Sequence, residues 1–202
     1  MLGPEDKNTL RWIMKEKKFQ LVTWDMPNEK KVSIVSEIYD SVDEIINAIK
    51  DNNYVIAIGL NPSNKTAFND DETNLYLRDK IKQEFKEVKG YILTNLSYKI
   101  ETESKNISIK DIDEGHINSI LELIGKLKQH KIIVFFGQKG KEFLNNKNSD
   151  AKESLYKLKE ELNKNKKRVY YTKSIAKFIH PGHSGDNYEL VKLKNDTLEM
   201  EG

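Results

Sequence analysis

The chain contains no cysteine among its 202 residues. Disulfide bonds, thiolate catalysis and cysteine-based zinc sites are therefore excluded. No apolar stretch approaches the length of a membrane span, and no signal peptide is visible. These absences predict a cytoplasmic protein that does not bind a membrane.

Apolar content and net charge are also low. Hydrophobic residues make up 37% and charged residues 33%, with a net charge of +2. This charge balance neither requires nor excludes a nucleic-acid partner. The apolar residues are clustered, so residues 1–202 are expected to form a single domain with a core. We divide it into a hairpin and helix at 1–50, an α/β core at 51–190 and a loosely ordered tail at 191–202.

Short apolar runs alternate with helical stripes along the chain. Nearly continuous apolar runs predict strands that are covered on both faces, and they span 54–60, 91–96, 131–136 and 168–171, the last continuing through 175–179. Amphipathic stripes predict helices over 72–87, 114–128 and 152–162. This alternation predicts a three-layer α/β/α sandwich with a central four-stranded parallel sheet. Residues 19–24 and 31–39 flank a turn and predict an antiparallel hairpin at the flank or edge of the sheet.

Two polar turns follow predicted strands and are far apart in the sequence. Residues 59–63 read Gly-Leu-Asn-Pro-Ser, and residues 180–182 read His-Pro-Gly. Ligands of open parallel sheets bind outside the carboxyl ends of the strands. We therefore predict one crevice that is lined by Asn61, Asn95 and His180, with Asp71 or Thr73 close by. The alternative is that both turns are ordinary breaks between elements.

The order of five short motifs resembles one family. The motifs are Gly-Leu-Asn-Pro-Ser at 59–63, Asp-Asp-Glu-Thr at 70–73, Thr-Asn-Leu at 94–96, Phe-Gly at 136–137 and His-Pro at 180–181. In this order they resemble an uncharacterised family of bacterial and phage proteins, domain of unknown function 1643, over roughly residues 11–190. The chain has Phe136 where that family usually has Trp.

The same order is similar, more distantly, to the uracil-DNA glycosylase superfamily. This resemblance implies a uracil-DNA glycosylase-like fold and an enzyme that acts on a nucleobase or its N-glycosidic bond, most often in DNA. It implies that Asn61 positions a water, that Asn95 reads the base and that His180 stabilises the leaving base anion. Phe68 is the nearest candidate for the aromatic residue that stacks on the base. Gly182 stands where the superfamily usually has Ser.

The chemistry of such a site follows from charge. Breaking an N-glycosidic bond builds positive charge on the sugar and negative charge on the base, and a donor aimed at a base oxygen stabilises the anion. Asn61 could orient a water but not deprotonate it. Asp71 could orient the imidazole of His180, or residues 70–73 could simply cap a helix. The predicted catalytic residues are Asn61, His180 and Asp71. The predicted substrate-binding residues are Gly59, Pro62, Ser63, Phe68, Thr73, Asn95, Gly137 and Pro181.

Other motifs carry weaker signals. His116 and His130, at the two ends of a helical stripe, are expected at the surface, where they complement the helix dipole. His183 could pair with His180 on a metal, but no carboxylate partner is apparent, and no metal or other cofactor is expected. The Gly-Gln-Lys-Gly sequence at 137–140 could hold a phosphate at a helix start. The basic run at 163–168 is either a solvated loop or a contact to a nucleic-acid backbone.

Two classes of function remain open at this point. One is an enzyme that acts on a nucleobase or its glycosidic bond, in DNA or in a free nucleotide. The other is a catalytically silent protein of the same fold that binds a nucleotide, a modified base or a protein partner in bacterial or phage defence. A basic stripe around the pocket would favour DNA, and a closed pocket would favour a small nucleotide.

Overall fold

The computed structural model is a mixed α/β protein, in agreement with the predicted alternation. It describes residues 19–24, 34–49, 53–62, 72–99, 101, 103–146, 152–174, 177–178, 188–194 and 198. Its strands are β1 (Phe19–Trp24), β2 (Ile34–Tyr39), β3 (Tyr54–Gly59), β4 (Gly90–Asn95), β5 (Lys131–Val134), β6 (Val169–Ser174), β7 (Lys177–Phe178) and β8 (Glu189–Lys192). The α-helices of the described residues are α1 (Val42–Ala48), α2 (Glu72–Glu84), α3 (Glu114–Lys126), α4 (Gly137–Leu144) and α5 (Lys152–Lys164).

These strands form a single sheet that is larger than the four-stranded one predicted. Seven of its eight strands follow the order β2-β1-β4-β3-β5-β6-β7, and the eighth strand, β8, pairs with β6. The four strands in the middle, β4, β3, β5 and β6, run parallel to one another. The sheet is larger because the hairpin joins it through β1, antiparallel to β4, and because β7 and β8 add to β6.

The chain reverses direction after β6 instead of continuing as one buried strand through 179. Lys173 pairs with Phe178 and Ser174 with Lys177, both antiparallel. The reason is visible in the sequence, since two lysines and a serine interrupt the apolar run and suit a strand end better than a strand buried on both faces. β7 is therefore an antiparallel strand, and the expectation of one buried parallel strand leading through 175–179 is wrong.

The helices cover both faces of the sheet. Ile56 and Ile58 of β3 face a large core that includes residues of α1, α3, α4 and α5. Val55 and Ala57, which alternate with them, face a smaller core that includes residues of α2. Because successive side chains of a strand point to opposite faces, α2 lies on the other face from the remaining helices.

The segment that follows β8 is held in the core, although the sequence predicted a loose tail. Leu193 and Leu198 are almost completely buried in the large core. The side-chain amide of Asn145 also donates a hydrogen bond to the carbonyl oxygen of Leu198 at 2.7 Å. Apolar burial and a backbone contact together fix this segment against the end of α4.

Arg168, the last residue of the basic run, fastens β6 to the end of α3. Its guanidinium donates to the carbonyl oxygens of Ile124, Leu127 and His130 at 3.0, 2.7 and 2.8 Å. Ile124 lies in the last turn of α3, whose carbonyls lack intrahelical partners, and Leu127 and His130 lie in the turn that follows the helix. Burial lowers the pKa of Arg168 below its ordinary value. Arg168 thus has a structural role.

Within the described residues, no helix combines the length and the apolar composition that crossing a membrane requires.

Candidate functional site

The turn at 59–62 lies where the connections of the sheet change direction. β4 lies on one side of β3 and β5 on the other. Right-handed connections therefore place α2, which follows β3, and α3, which follows β4, on opposite faces. A sheet opens a crevice at the carboxyl ends of its strands at such a switch point. The fold thus places the Gly-Leu-Asn-Pro turn in the position where open α/β proteins bind ligands.

Gly59 allows an unusually close approach at the end of β3. It pairs directly with Asn95, the last residue of β4. A Cβ atom on Gly59 would clash with Oδ1 of Asn95 and would lie 2.8 Å from Cζ of Phe135. Only glycine leaves the space that these two side chains occupy. The absent side chain thus lets the Asn95 amide and the Phe135 ring pack directly against the strand.

The side-chain amide of Asn61 is held in a single orientation. Its Nδ2 donates to the carbonyl oxygens of Pro62 at 3.0 Å and Glu101 at 2.6 Å. Because carbonyl oxygens can only accept, the nitrogen must face them. Among the described residues, no hydrogen bond reaches Oδ1 of Asn61. The half-buried Asn61 therefore keeps an acceptor that could orient a water or bind a ligand donor.

The loop after β4 is fastened to this turn. The backbone N–H groups of Leu96 and Ser97 donate to the carbonyl oxygens of Gly59 and Leu60 at 2.9 and 2.8 Å. Glu101 N donates to the carbonyl of Pro62 at 3.2 Å. Further along, the loop forms short 3-10 helices at Ser104–Asn106 and Ile109–Asp111. The backbone of the turn at 59–62 is therefore held by the backbone of this loop.

His116 is fully buried, and the prediction that it lies at the surface is wrong. Its Nε2 lies 2.6 Å from the carbonyl oxygen of Asn95 and 3.2 Å from Oγ1 of Thr94. The signal that could have placed it is its spacing, since it precedes the buried Ile120 by four residues and so belongs to the apolar stripe of α3. His130, which was also predicted at the surface, is 2% exposed, and its carbonyl accepts from Arg168.

Tyr98 packs against His116 in the loop that leaves β4. The two ring centroids are 4.3 Å apart, with the planes tilted by 41°. Its Oη is buried and has no hydrogen-bond partner in the described part of the chain. Burial, with a smaller contribution from Asp113, raises the pKa of Tyr98 well above its ordinary value. Nothing in the sequence singled out this residue, because it lies in a polar loop without periodicity.

The glycine-rich motif at 137–140 serves the packing of a helix start. Gly137 opens α4 with a φ angle of 64°, which L side chains rarely adopt. A Cβ atom on Gly140 would lie 2.5 Å from atoms of the Phe136 ring, so that ring requires a glycine at this place. Both glycines are thus explained by the backbone turn and by the packing of Phe136.

Several predicted site residues lie outside the described residues, namely Ser63, Phe68, Asp71, His180 and Pro181. Thr73 is in the first turn of α2. The structure brings together Gly59, Asn61, Pro62 and Asn95, and their roles in binding or catalysis stay predictions, as does that of Gly137. In the described part of the chain, no group of three or more histidine and carboxylate side chains could hold a metal ion.

Comparison with known proteins gives one match. A family model described as "Protein of unknown function (DUF1643)" matches residues 43–181, which is more than half of the chain. Neither the comparison with curated proteins nor the comparison with solved structures gives a match.

Proposed function

Because this chain belongs to the DUF1643 family of unknown function, we propose its function from the crevice itself. The protein binds a nucleobase at the carboxyl ends of β3 and β4 and acts on its N-glycosidic bond. The base belongs to DNA or to a nucleotide. The resemblance of the motif order to the uracil-DNA glycosylase superfamily suggests this class of substrate.

The proposal is carried by two amide side chains at the carboxyl ends of two adjacent strands. Asn95 lies against Gly59, and the fixed amide of Asn61 keeps an acceptor oxygen to which no described residue donates. Enzymes that act on a base read it by hydrogen bonds to its polar edge, and an asparagine offers both a donor and an acceptor. Asn95 suits the edge of a base, and Oδ1 of Asn61 suits the water that attacks the sugar.

The substrate must present its base outside a stacked duplex. An enzyme cannot reach the glycosidic bond of a base that is still stacked, so it flips the base or uses a single strand. Unstacking costs a few kcal/mol, and least for mismatched or modified bases. Because Asn61 cannot take a proton, the reaction should be slow and should favour a base that leaves easily.

Incubation with oligonucleotides tests this function directly. The panel carries uracil, mismatched thymine or a modified pyrimidine, in single and double strands, and abasic sites are detected. We expect abasic sites with at least one base, and a loss of about 100-fold in rate for Asn61→Ala and for Asn95→Ala. The matched control is Asn118→Ala on the exposed side of α3, which should keep the full rate. If the wild-type protein forms abasic sites with no member of the panel, glycosidic cleavage is overturned.

One observation favours a second candidate, a catalytically silent binder of a nucleotide or modified base. The amide nitrogen of Asn61 donates to Pro62 in its own turn and to Glu101 in the neighbouring loop, which is the arrangement of a structural residue. The same oligonucleotides and a set of free nucleotides are then examined by thermal shift. Base-dependent stabilisation without abasic sites would support silent binding, whereas no stabilisation by any compound would overturn it.

A further inference from the structure

His116 is anchored at its backbone by the start of α3. It lies in the first turn of the helix, and Oδ1 of the N-cap residue Asp113 accepts its N–H at 2.7 Å. An N-cap fixes the first turn, since it satisfies a donor that the helix itself cannot. The position from which the imidazole reaches β4 is therefore set by the helix.

The imidazole itself is held by one short hydrogen bond and two aromatic neighbours. Nε2 lies 2.6 Å from the carbonyl oxygen of Asn95. Because that oxygen can only accept, Nε2 must carry the hydrogen. The Tyr98 ring lies 4.3 Å from the imidazole, and the Phe19 ring lies 6.0 Å from it, centroid to centroid. These rings come from the loop after β4 and from β1, so the imidazole plane is confined by separate elements.

The peptide group between Asn95 and Leu96 is consequently bound at both of its polar atoms. Its carbonyl oxygen accepts from His116, and its N–H donates to the carbonyl oxygen of Gly59 at 2.9 Å. Loss of either bond would let the backbone of Asn95 shift, and its Cα would carry along the side chain that packs on Gly59. The direction of the Asn95 amide thus depends on the hydrogen bond from His116.

We propose that His116 is a positioning residue whose imidazole aims the Asn95 amide into the crevice. This inference rests on the nucleobase function that is proposed above. A histidine that only filled space in the core could be replaced by leucine, which has a similar volume. A positioning histidine requires a donor at the place of Nε2, and glutamine can supply one.

The test compares His116→Leu with His116→Gln. Two quantities are measured, the side-chain amide resonance of Asn95 in ¹⁵N NMR and the affinity for a single-stranded oligonucleotide that contains one deoxyuridine. We expect His116→Leu to shift or broaden the resonance and to weaken binding about tenfold, the effect of one lost hydrogen bond. His116→Gln should restore both. In an Asn95→Ala background, His116→Leu should cause no further loss of affinity, because the two residues act as one unit.

The outcomes separate this inference from the function on which it rests. If the wild-type protein does not bind the oligonucleotide but His116→Leu still moves the Asn95 resonance, the function fails and the positioning stands. An unchanged Asn95 resonance in His116→Leu overturns the positioning. If His116→Leu does not fold, the imidazole ¹⁵N shifts of His116 in the wild-type protein test the positioning instead. Imidazole ¹⁵N shifts with a slowly exchanging hydrogen on Nε2 support the hydrogen bond, and a hydrogen on Nδ1 alone overturns it.

Discussion

At the scale of single residues, Gly59 is a position where one added methyl group should lower stability. Gly59→Ala places a Cβ where Oδ1 of Asn95 and the ring of Phe135 already lie. Because neither neighbour can move without disturbing a strand end, we expect the free energy of unfolding to fall by about 2 kcal/mol. Urea denaturation measures the change.

The matched control for this substitution is Gly125→Ala in the last turn of α3. A Cβ atom there would have no neighbour within 4 Å. Since alanine favours a helix over glycine, the control should be more stable than the wild type by about 0.5 kcal/mol. If Gly59→Ala gained stability as well, the close packing of Asn95 on β3 would be wrong.

Individual residues also show which contacts the sequence could predict and which it could not. That Asn61 and Asn95 lie near each other follows from the pairing of adjacent parallel strands, and the sequence pattern predicted those strands. The hydrogen bond from Asn61 to Glu101 could not be predicted, because it depends on the path of a loop 40 residues further along the chain. His116 was misplaced because its position near a helix end was given more weight than its position on the apolar stripe.

At the scale of elements, the contact between β6 and α3 depends on Arg168. Arg168→Lys should lower the free energy of unfolding by about 2 kcal/mol. The ammonium of lysine has no planar fork and cannot satisfy the helix-end carbonyls that the guanidinium reaches. Thermal and urea unfolding of the two proteins would measure this difference.

A second arginine, which pairs with its neighbour in sequence, provides the comparison. Arg78 on α2 forms an ion pair with Asp79 at 2.8 Å, and the Asp79 side chain is 55% exposed. Exposed pairs contribute little, so Arg78→Lys should change stability by less than about 0.5 kcal/mol. Equal effects of the two substitutions would contradict the structural role of Arg168.

Most elements could be predicted because their apolar patterns are long. The hairpin, the parallel strands and the helices predicted over 72–87, 114–128 and 152–162 were anticipated, with ends that differ by a few residues. β8 was not, since a strand of four residues is too short for a periodic signal, and β7, which lies in the predicted run 175–179, was not expected to reverse direction. Their pairing with β6 is a tertiary property, and tertiary context overrides local preference.

At the scale of the whole molecule, the core includes a residue that follows the last strand of the sheet. Leu198 is fully buried in the large core. Leu198→Ala should lower the free energy of unfolding by about 3 kcal/mol, because it removes apolar burial and leaves a cavity. Urea denaturation with circular dichroism measures the loss.

The control substitution at Leu198 conserves the volume of the side chain. Leu198→Met should cost less than about 1.5 kcal/mol, since methionine can fill the same space. A Leu198→Ala protein as stable as the Leu198→Met protein would show that this segment does not belong to the core.

The position of β1, between β2 and β4, has a consequence for how the protein is made. β2 follows β1 closely in the sequence, whereas Leu93 of β4, the partner of Gln20 in β1, is synthesised much later. Until β4 has been synthesised, the backbone groups on one edge of β1, whose sequence is Phe-Gln-Leu-Val-Thr-Trp, have no strand partner. Exposed edges of this kind attract other unfinished chains. We therefore expect the nascent chain to be most prone to aggregation, and most dependent on chaperones, between the synthesis of β1 and the synthesis of β4.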